Sequence, residues 1–178
     1  ALASFPGWRD AQAAGADEVL EGLPLGPRSS HAPGRGAQTL RAYGQWLERA
    51  GGGTQAQAFT GDEAWGPERR FERVFERLAI PGLTRSARYE LLVLLGRLGL
   101  DEPRADALHL VGRRGAEGED LTLAAAKRVF GIGDALLLER RAQGLAGAVG
   151  VPVESLDLAL WNWASAERAT LGFPPEAA

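Results

Sequence analysis

Apolar side chains recur along most of the chain at intervals of three and four residues, the spacing of one face of an α-helix. Residues 67–79 show this clearly, because Pro67 suits a first helical turn and an apolar stripe follows it. Residues 85–99 are apolar on nearly all sides, which predicts a buried central helix. Similar patterns predict further helices over 37–50, 121–129 (behind an N-cap at Asp120), 134–149 and 155–168.

The alternation of apolar and polar residues that is typical of β-strands is almost absent. Glycine accounts for 24 of the 178 residues, and half of these glycines precede Pro67 in loop-like stretches. We therefore expect an all-α fold, a compact bundle of about eight short helices. Residues 1–178 are predicted to form a single helical domain. The alternative is two lobes, 1–53 and 67–168, joined by the glycine-rich segment 50–66.

Composition narrows the chemistry available to the chain. It contains no cysteine, two histidines far apart in sequence, and one lysine, Lys127, against nineteen arginines. These counts exclude a cysteine-ligated metal or iron–sulfur cluster and disfavour a histidine-built one, so we expect neither a metal nor a cofactor. An amine nucleophile would have to be Lys127 or the N-terminus.

Segments for targeting or membrane insertion are also not predicted. The first ten residues lack a basic stretch followed by a long apolar one. The longest apolar run, 91–95, has five residues, whereas about 20 are needed to cross a bilayer. We expect a cytoplasmic protein without membrane contact.

Two similar strings, 78–99 and 127–147, each run from a helix through a short glycine-containing turn into a new helix. They resemble the helix-hairpin-helix motif, in which glycine lets backbone N–H groups approach a phosphate at a helix N-terminus. In the second string Phe130 stands where the motif usually has proline, and in the first Thr84 replaces the second glycine. The residues that fit the motif are Pro81, Gly82, Gly131, Ile132 and Gly133. The alternative is that these glycines only form corners between helices.

Both strings lie in positively charged surroundings, although the whole chain has a net charge of −3. Residues 68–88 carry six arginines and three glutamates, and residues 127–141 carry four cations and two carboxylates. A surface that contacts phosphates requires such local positive charge. The candidates for DNA binding, besides the turn residues, are Arg85, Arg88, Lys127 and Arg128. An ordinary solvated face is the alternative.

The order of hairpin, helix, proline-containing loop and aspartate resembles the helix-hairpin-helix DNA glycosylase superfamily. The resemblance covers residues 69–168, and residues 5–50 more weakly. The strings ARYELLVLLGRLGL and LDLALWNW are also similar to the glutamyl/putrescinyl-thymine pyrophosphorylase-like branch.

This resemblance implies a catalytic role for Asp157. Glu154 is the second candidate, because Asp157 lies about two residues farther from Gly131 than the family pattern leads us to expect. Such a carboxylate stabilises positive charge on the sugar or activates water. Trp161 would stack on an extruded base. Alternatively, Asp157 only caps the helix 155–168, and Trp161 packs at the edge of a core stripe formed by Leu156, Leu160 and Trp163.

The family's lyase lysine has no counterpart, since Asp134 and Ala135 occupy its place. The resemblance thus implies a monofunctional glycosylase that binds double-stranded DNA, flips a damaged or modified base and cleaves its N-glycosidic bond. Two alternatives are a non-enzymatic tandem hairpin module that binds duplex DNA without sequence preference, and an all-α interaction domain.

Overall fold

The computed structural model of the protein describes residues 36–51, 54–110 and 120–166, and these residues form α-helices without any strand. The all-α prediction is therefore confirmed. The predicted first lobe before residue 36 and the end of the last predicted helix lie outside the described residues. The seven described helices are α1 (Gly36–Gly51), α2 (Gln55–Thr60), α3 (Pro67–Arg77), α4 (Arg85–Arg97), α5 (Leu121–Phe130), α6 (Ala135–Val149) and α7 (Val153–Ala164).

The helix boundaries follow from local chemistry. Thr84, Asp120 and Asp134 each precede a helix, and their side chains accept hydrogen bonds from backbone N–H groups of its first turn. The N-cap predicted at Asp120 is confirmed, with its carboxylate 2.9 Å from the Thr122 nitrogen. α6 ends at Gly150, which has a left-handed φ of 75°.

The last helix begins earlier than predicted, at Val153, with Pro152 in the N-cap position. Asp157 is therefore the fifth residue of α7 and not its cap, so the capping interpretation of Asp157 is wrong. The buried residues of α7 are Val153, Asp157, Leu160 and Trp161.

One hydrophobic cluster takes buried residues from all seven described helices. At its centre, the rings of Phe71, Phe75 and Tyr89 pack edge to face or stacked, with centroids 5.2 to 6.4 Å apart. The segment 50–66, predicted as a connection, contains α2. The ring of Phe59 on α2 packs against Trp46 of α1 at 5.3 Å.

The turn between α3 and α4 requires glycine for two reasons. Gly82 has a φ of 81°, and a Cβ atom there would lie 1.9 Å from Oγ1 of Thr39 on α1. The turn is thus packed against another helix.

Within the part of the chain that the structure describes, no single helix is long and apolar enough to cross a membrane. α6 and α7 meet that length and composition test only as a pair, and they are bent by 108° relative to each other.

Candidate functional site

Arg85, the first residue of α4, is buried with 4% of its surface exposed, and it donates hydrogen bonds in three directions. Its Nε lies 2.5 Å from Oδ2 of Asp120, and its Nη2 lies 2.5 Å from Oδ1 of Asp157. Its Nη1 donates to the Leu108 carbonyl at 2.7 Å. We call these four residues the Arg85 cluster. It joins α4, the N-cap of α5, α7 and the segment 107–110.

The electrostatics of the cluster favour a permanently charged arginine. Burial alone would lower the pKa of Arg85, but attraction to Asp157 and Asp120 and the hydrogen bonds to both raise it above its ordinary value. Charge-assisted bonds of this kind are short and strong. The cluster therefore compensates one buried positive charge with two carboxylates.

Two neighbours of Arg85 on α4 are also buried. Arg88 donates to the Phe75 carbonyl at 2.8 Å, and its Cζ lies 4.3 Å from the Phe75 ring centroid. Burial and then repulsion from Arg85 lower the pKa of Arg88 to about 10. The Tyr89 hydroxyl donates to the Ala107 carbonyl at 3.0 Å, and burial raises its pKa.

The segment 107–110, which contacts Arg85 and Tyr89, also forms hydrogen bonds with Glu139 of α6. The Glu139 carboxylate accepts the N–H groups of Leu108 at 2.7 Å and Leu110 at 2.6 Å. Burial raises the pKa of Glu139 although both hydrogen bonds oppose that shift. Between these anchors, His109 adopts a left-handed φ of 51°.

The imidazole of His109 enters the aromatic core, with its centroid 4.8 Å from that of Phe75 and 5.4 Å from that of Phe71. Its Nε2 is buried and has no hydrogen-bond partner within the part of the chain that the structure describes. Burial lowers the pKa of His109, which favours the neutral form of the ring. No group of three metal-ligating side chains is found among the described residues.

The two predicted catalytic carboxylates have different surroundings. Asp157 is completely buried, and its carboxylate accepts a hydrogen bond from the Arg85 guanidinium. In this conformation the carboxylate therefore has no access to a sugar or to bulk water. Glu154, in the first turn of α7, has a side chain 17% exposed, with Oε1 4.0 Å from an Arg97 nitrogen. Its Oε2 is buried and has no hydrogen-bond partner among the described residues.

Of the stripe predicted for α7, Leu160 is buried and Leu156 packs against the core, but Trp163 does not belong to it. Trp161 is 5% exposed and belongs to the buried face with Asp157, whereas Trp163 is 57% exposed. The Arg128 Cζ lies 5.8 Å from the Trp163 ring centroid. An extruded base could not reach the Trp161 ring in this conformation.

Around the first turn, the two arginines predicted to bind DNA are not available at the surface, whereas Gly82 is half-buried and Pro81 is exposed. Arg85 and Arg88 lie in the interior, and the Gly82 backbone faces Thr39.

Two arginines of α3 also donate hydrogen bonds to backbone carbonyls of other segments. Arg70 donates to the carbonyls of Thr60, Trp65 and Asp101, and Arg77 donates to that of Ala50.

The second turn presents a different surface. Gly131, with a φ of 86°, ends α5, and Ile132 after it is 97% exposed. Lys127, Arg128, Arg140 and Arg141 are exposed.

The two carboxylates of this region have partners within the protein. Glu139 points inward to the segment 107–110, and the Asp134 carboxylate accepts a hydrogen bond from the Leu137 N–H at 2.8 Å. We call residues 121–149 the α5–α6 hairpin, and its exposed charge is mainly positive.

Comparison of the chain with protein-family models, curated proteins and solved structures yields no match. The candidate site is therefore defined by geometry alone. It comprises an interior Arg85 cluster and an exposed cationic hairpin.

The roles of Glu139 and His109 are not predicted from the sequence, and Arg85 was expected at the surface. One signal for Arg85 was available: Arg85 and Arg88 share a helical face with Leu92 in a segment that is apolar on nearly all sides. A charge on such a face must be paired inside the protein. No pattern in the sequence identifies Asp120 and Asp157 as the partners, because they are 35 and 72 residues away.

Proposed function

We propose that the protein is a binding module for duplex DNA that contacts phosphates with the α5–α6 hairpin. The observation that carries this proposal is the glycine turn 131–133, exposed at Gly131 and Ile132, on a hairpin with four exposed cations, Lys127, Arg128, Arg140 and Arg141. Contacts between cations and phosphates supply most of the affinity of binding that does not depend on sequence.

The turn contributes steric access. Gly131 is exposed, and a Cβ atom there would meet only the Arg141 guanidinium, at 3.4 Å, so a phosphate oxygen can approach the main chain at this position. Gly133 is half-buried against the Leu137 side chain, so the approach is from the Gly131 side of the turn. The Arg141 guanidinium donates to the Phe130 carbonyl, which keeps a positive charge next to the turn. The Asp134 side chain already occupies the Leu137 N–H, so we assign the phosphate contacts to the turn and its cations.

The proposal is for binding without base excision. Catalysis by Asp157 would require its carboxylate to leave the Arg85 guanidinium and reach the sugar. Separating a buried ion pair costs several kcal/mol, about 3–5 kcal/mol when one partner is removed. The same geometry explains Asp157 as part of the interior, with no reaction needed.

The test is the affinity for a random-sequence duplex, measured by fluorescence anisotropy at several salt concentrations. We expect salt-dependent binding by the wild type. Lys127→Ala and Arg128→Ala should each weaken it and reduce the slope of log K against log salt by about one for each lost phosphate contact. Arg69→Ala, which removes an exposed arginine of α3, is the matched control and should bind like the wild type.

Two results would contradict the proposal. One is the absence of duplex binding, or binding that does not respond to salt. The other is release of a base by the wild-type protein, in excess, from duplexes that carry a panel of damaged bases, detected as abasic sites. The wild type is used for that assay because Asp157 variants are expected to be unstable.

A further inference from the structure

Ile132 is the most exposed of the large apolar side chains in the described part of the chain, at 97%. Its two neighbours, Gly131 and Gly133, have no side chains that could cover it or keep another molecule away. An isoleucine gains free energy when it is removed from water. Its position at the tip of the α5–α6 hairpin therefore suits insertion into a partner.

The surroundings of Ile132 restrict the chemistry of that partner. Val129 is 49% exposed and Leu136 is 59% exposed, and the cations of the hairpin lie on the same two helices. An apolar protein surface would desolvate these charges without compensating them. A partner with a dense negative backbone and an apolar interior matches both features, and duplex DNA has both.

We infer that Ile132 is a wedge that enters between two base pairs from the minor groove while the hairpin cations contact the flanking phosphates. This inference rests on the proposed function and specifies the class of DNA ligand that the protein prefers. Apolar wedges of this kind partly unstack a base step and kink the duplex. Unstacking costs least where pairing is already weakened, so the preferred ligand is duplex DNA with an unpaired or mismatched base.

The experiment compares a matched duplex with one that contains a single-nucleotide bulge, with the fluorescent base 2-aminopurine next to the bulge. We expect the wild type to bind the bulged duplex about tenfold more tightly and to raise the 2-aminopurine fluorescence as that base unstacks. Ile132→Ala should bind the bulged duplex no more tightly than the matched duplex, and it should no longer raise the 2-aminopurine fluorescence.

Val149→Ala is the matched control. Val149 is also an exposed β-branched residue, 62% accessible, but it lies at the opposite end of α6. We expect this variant to behave like the wild type in both measurements, because its side chain is far along the helix from the turn.

The outcomes separate the two proposals. If the wild type binds both duplexes equally with salt-dependent affinity, or if Ile132→Ala keeps the preference, the wedge is excluded and the proposed function stands. If no duplex is bound, both fail. Binding to anionic phosphatidylserine vesicles that is lost in Ile132→Ala, without any unstacking of DNA, would overturn the wedge in favour of a membrane contact.

Discussion

At the scale of single residues, the protein places a permanent charge inside an apolar core. Two carboxylates and a backbone carbonyl surround the Arg85 guanidinium within 2.7 Å of its nitrogens. A buried ion pair adds little stability compared with apolar residues of the same volume, but removal of one partner leaves an uncompensated charge. The contribution of each carboxylate is therefore best seen when it is neutralised.

We expect Asp157→Asn to lower the free energy of unfolding by about 3 kcal/mol, because Arg85 would lose its completely buried counter-charge. Urea denaturation followed by circular dichroism measures this change. Glu48→Gln, which neutralises an exposed carboxylate on α1, is the control, with an expected effect within about 0.5 kcal/mol. Similar small effects at both positions would show that Asp157 does not balance the charge of Arg85.

At the scale of secondary-structure elements, the sequence predicts helices well where a local signal marks them. Pro67 and Asp120 mark the beginnings of α3 and α5, and the structure places both helices there. α2 was not predicted, since a six-residue helix between glycine-rich stretches depends on packing of Phe59 against Trp46.

The candidate site could be predicted only in part for a related reason. Patterns along the chain indicate which residues share a helical face, as for Asp157 and Trp161, and the structure places both on the buried face of α7. They do not indicate which face turns inward, because that depends on helices distant in sequence. One of the two interpretations of α7 placed Trp163 in a core stripe for this reason, and Trp163 is exposed.

Glycines within the helices provide a test of packing at this scale. A Cβ atom at Gly96 on α4 would lie 2.3 Å from the Pro103 carbonyl oxygen, whereas one at Gly144 on α6 would meet nothing within 4 Å. We expect Gly96→Ala to destabilise the protein by about 1–3 kcal/mol, since backbone must move. Gly144→Ala should stabilise it by up to about 1 kcal/mol through helix propensity.

Thermal and urea unfolding of the two variants measure these opposite changes. Each serves as control for the other, because both replace a helical glycine with alanine. Stabilisation by Gly96→Ala would mean that the Pro103 carbonyl does not pack closely against Gly96 of α4.

At the scale of the whole molecule, stability depends on pH through groups in the core. Burial lowers the pKa of His109 below 6.5. As the pH falls through 6.5, the unfolded chain binds a proton before the folded protein does, so this contribution to stability is lost. Burial raises the pKa of Glu139 above 4.5, and its contribution has the opposite sign, since it decreases as the pH rises above 4.5.

We therefore predict that the wild type loses up to about 1 kcal/mol more stability than His109→Gln between pH 7.5 and pH 5.5. Urea denaturation at both pH values measures the difference. Glu139 is present in both proteins, so its contribution cancels in the comparison. Equal pH dependence of the two proteins would show that His109 is protonated equally in the folded and unfolded states.

The Arg85 cluster also has a consequence for how the chain folds. Helical proteins usually form through contacts between neighbours in sequence, which keeps their contact order low and their folding fast. Arg85 instead joins partners 23, 35 and 72 residues along the chain. The guanidinium is fully compensated only after three large loops have closed, so α7 must dock before the interior is complete. A chain that ends before α7 would bury an arginine without its main counter-charge, and this makes the last described helix a condition for a stable fold.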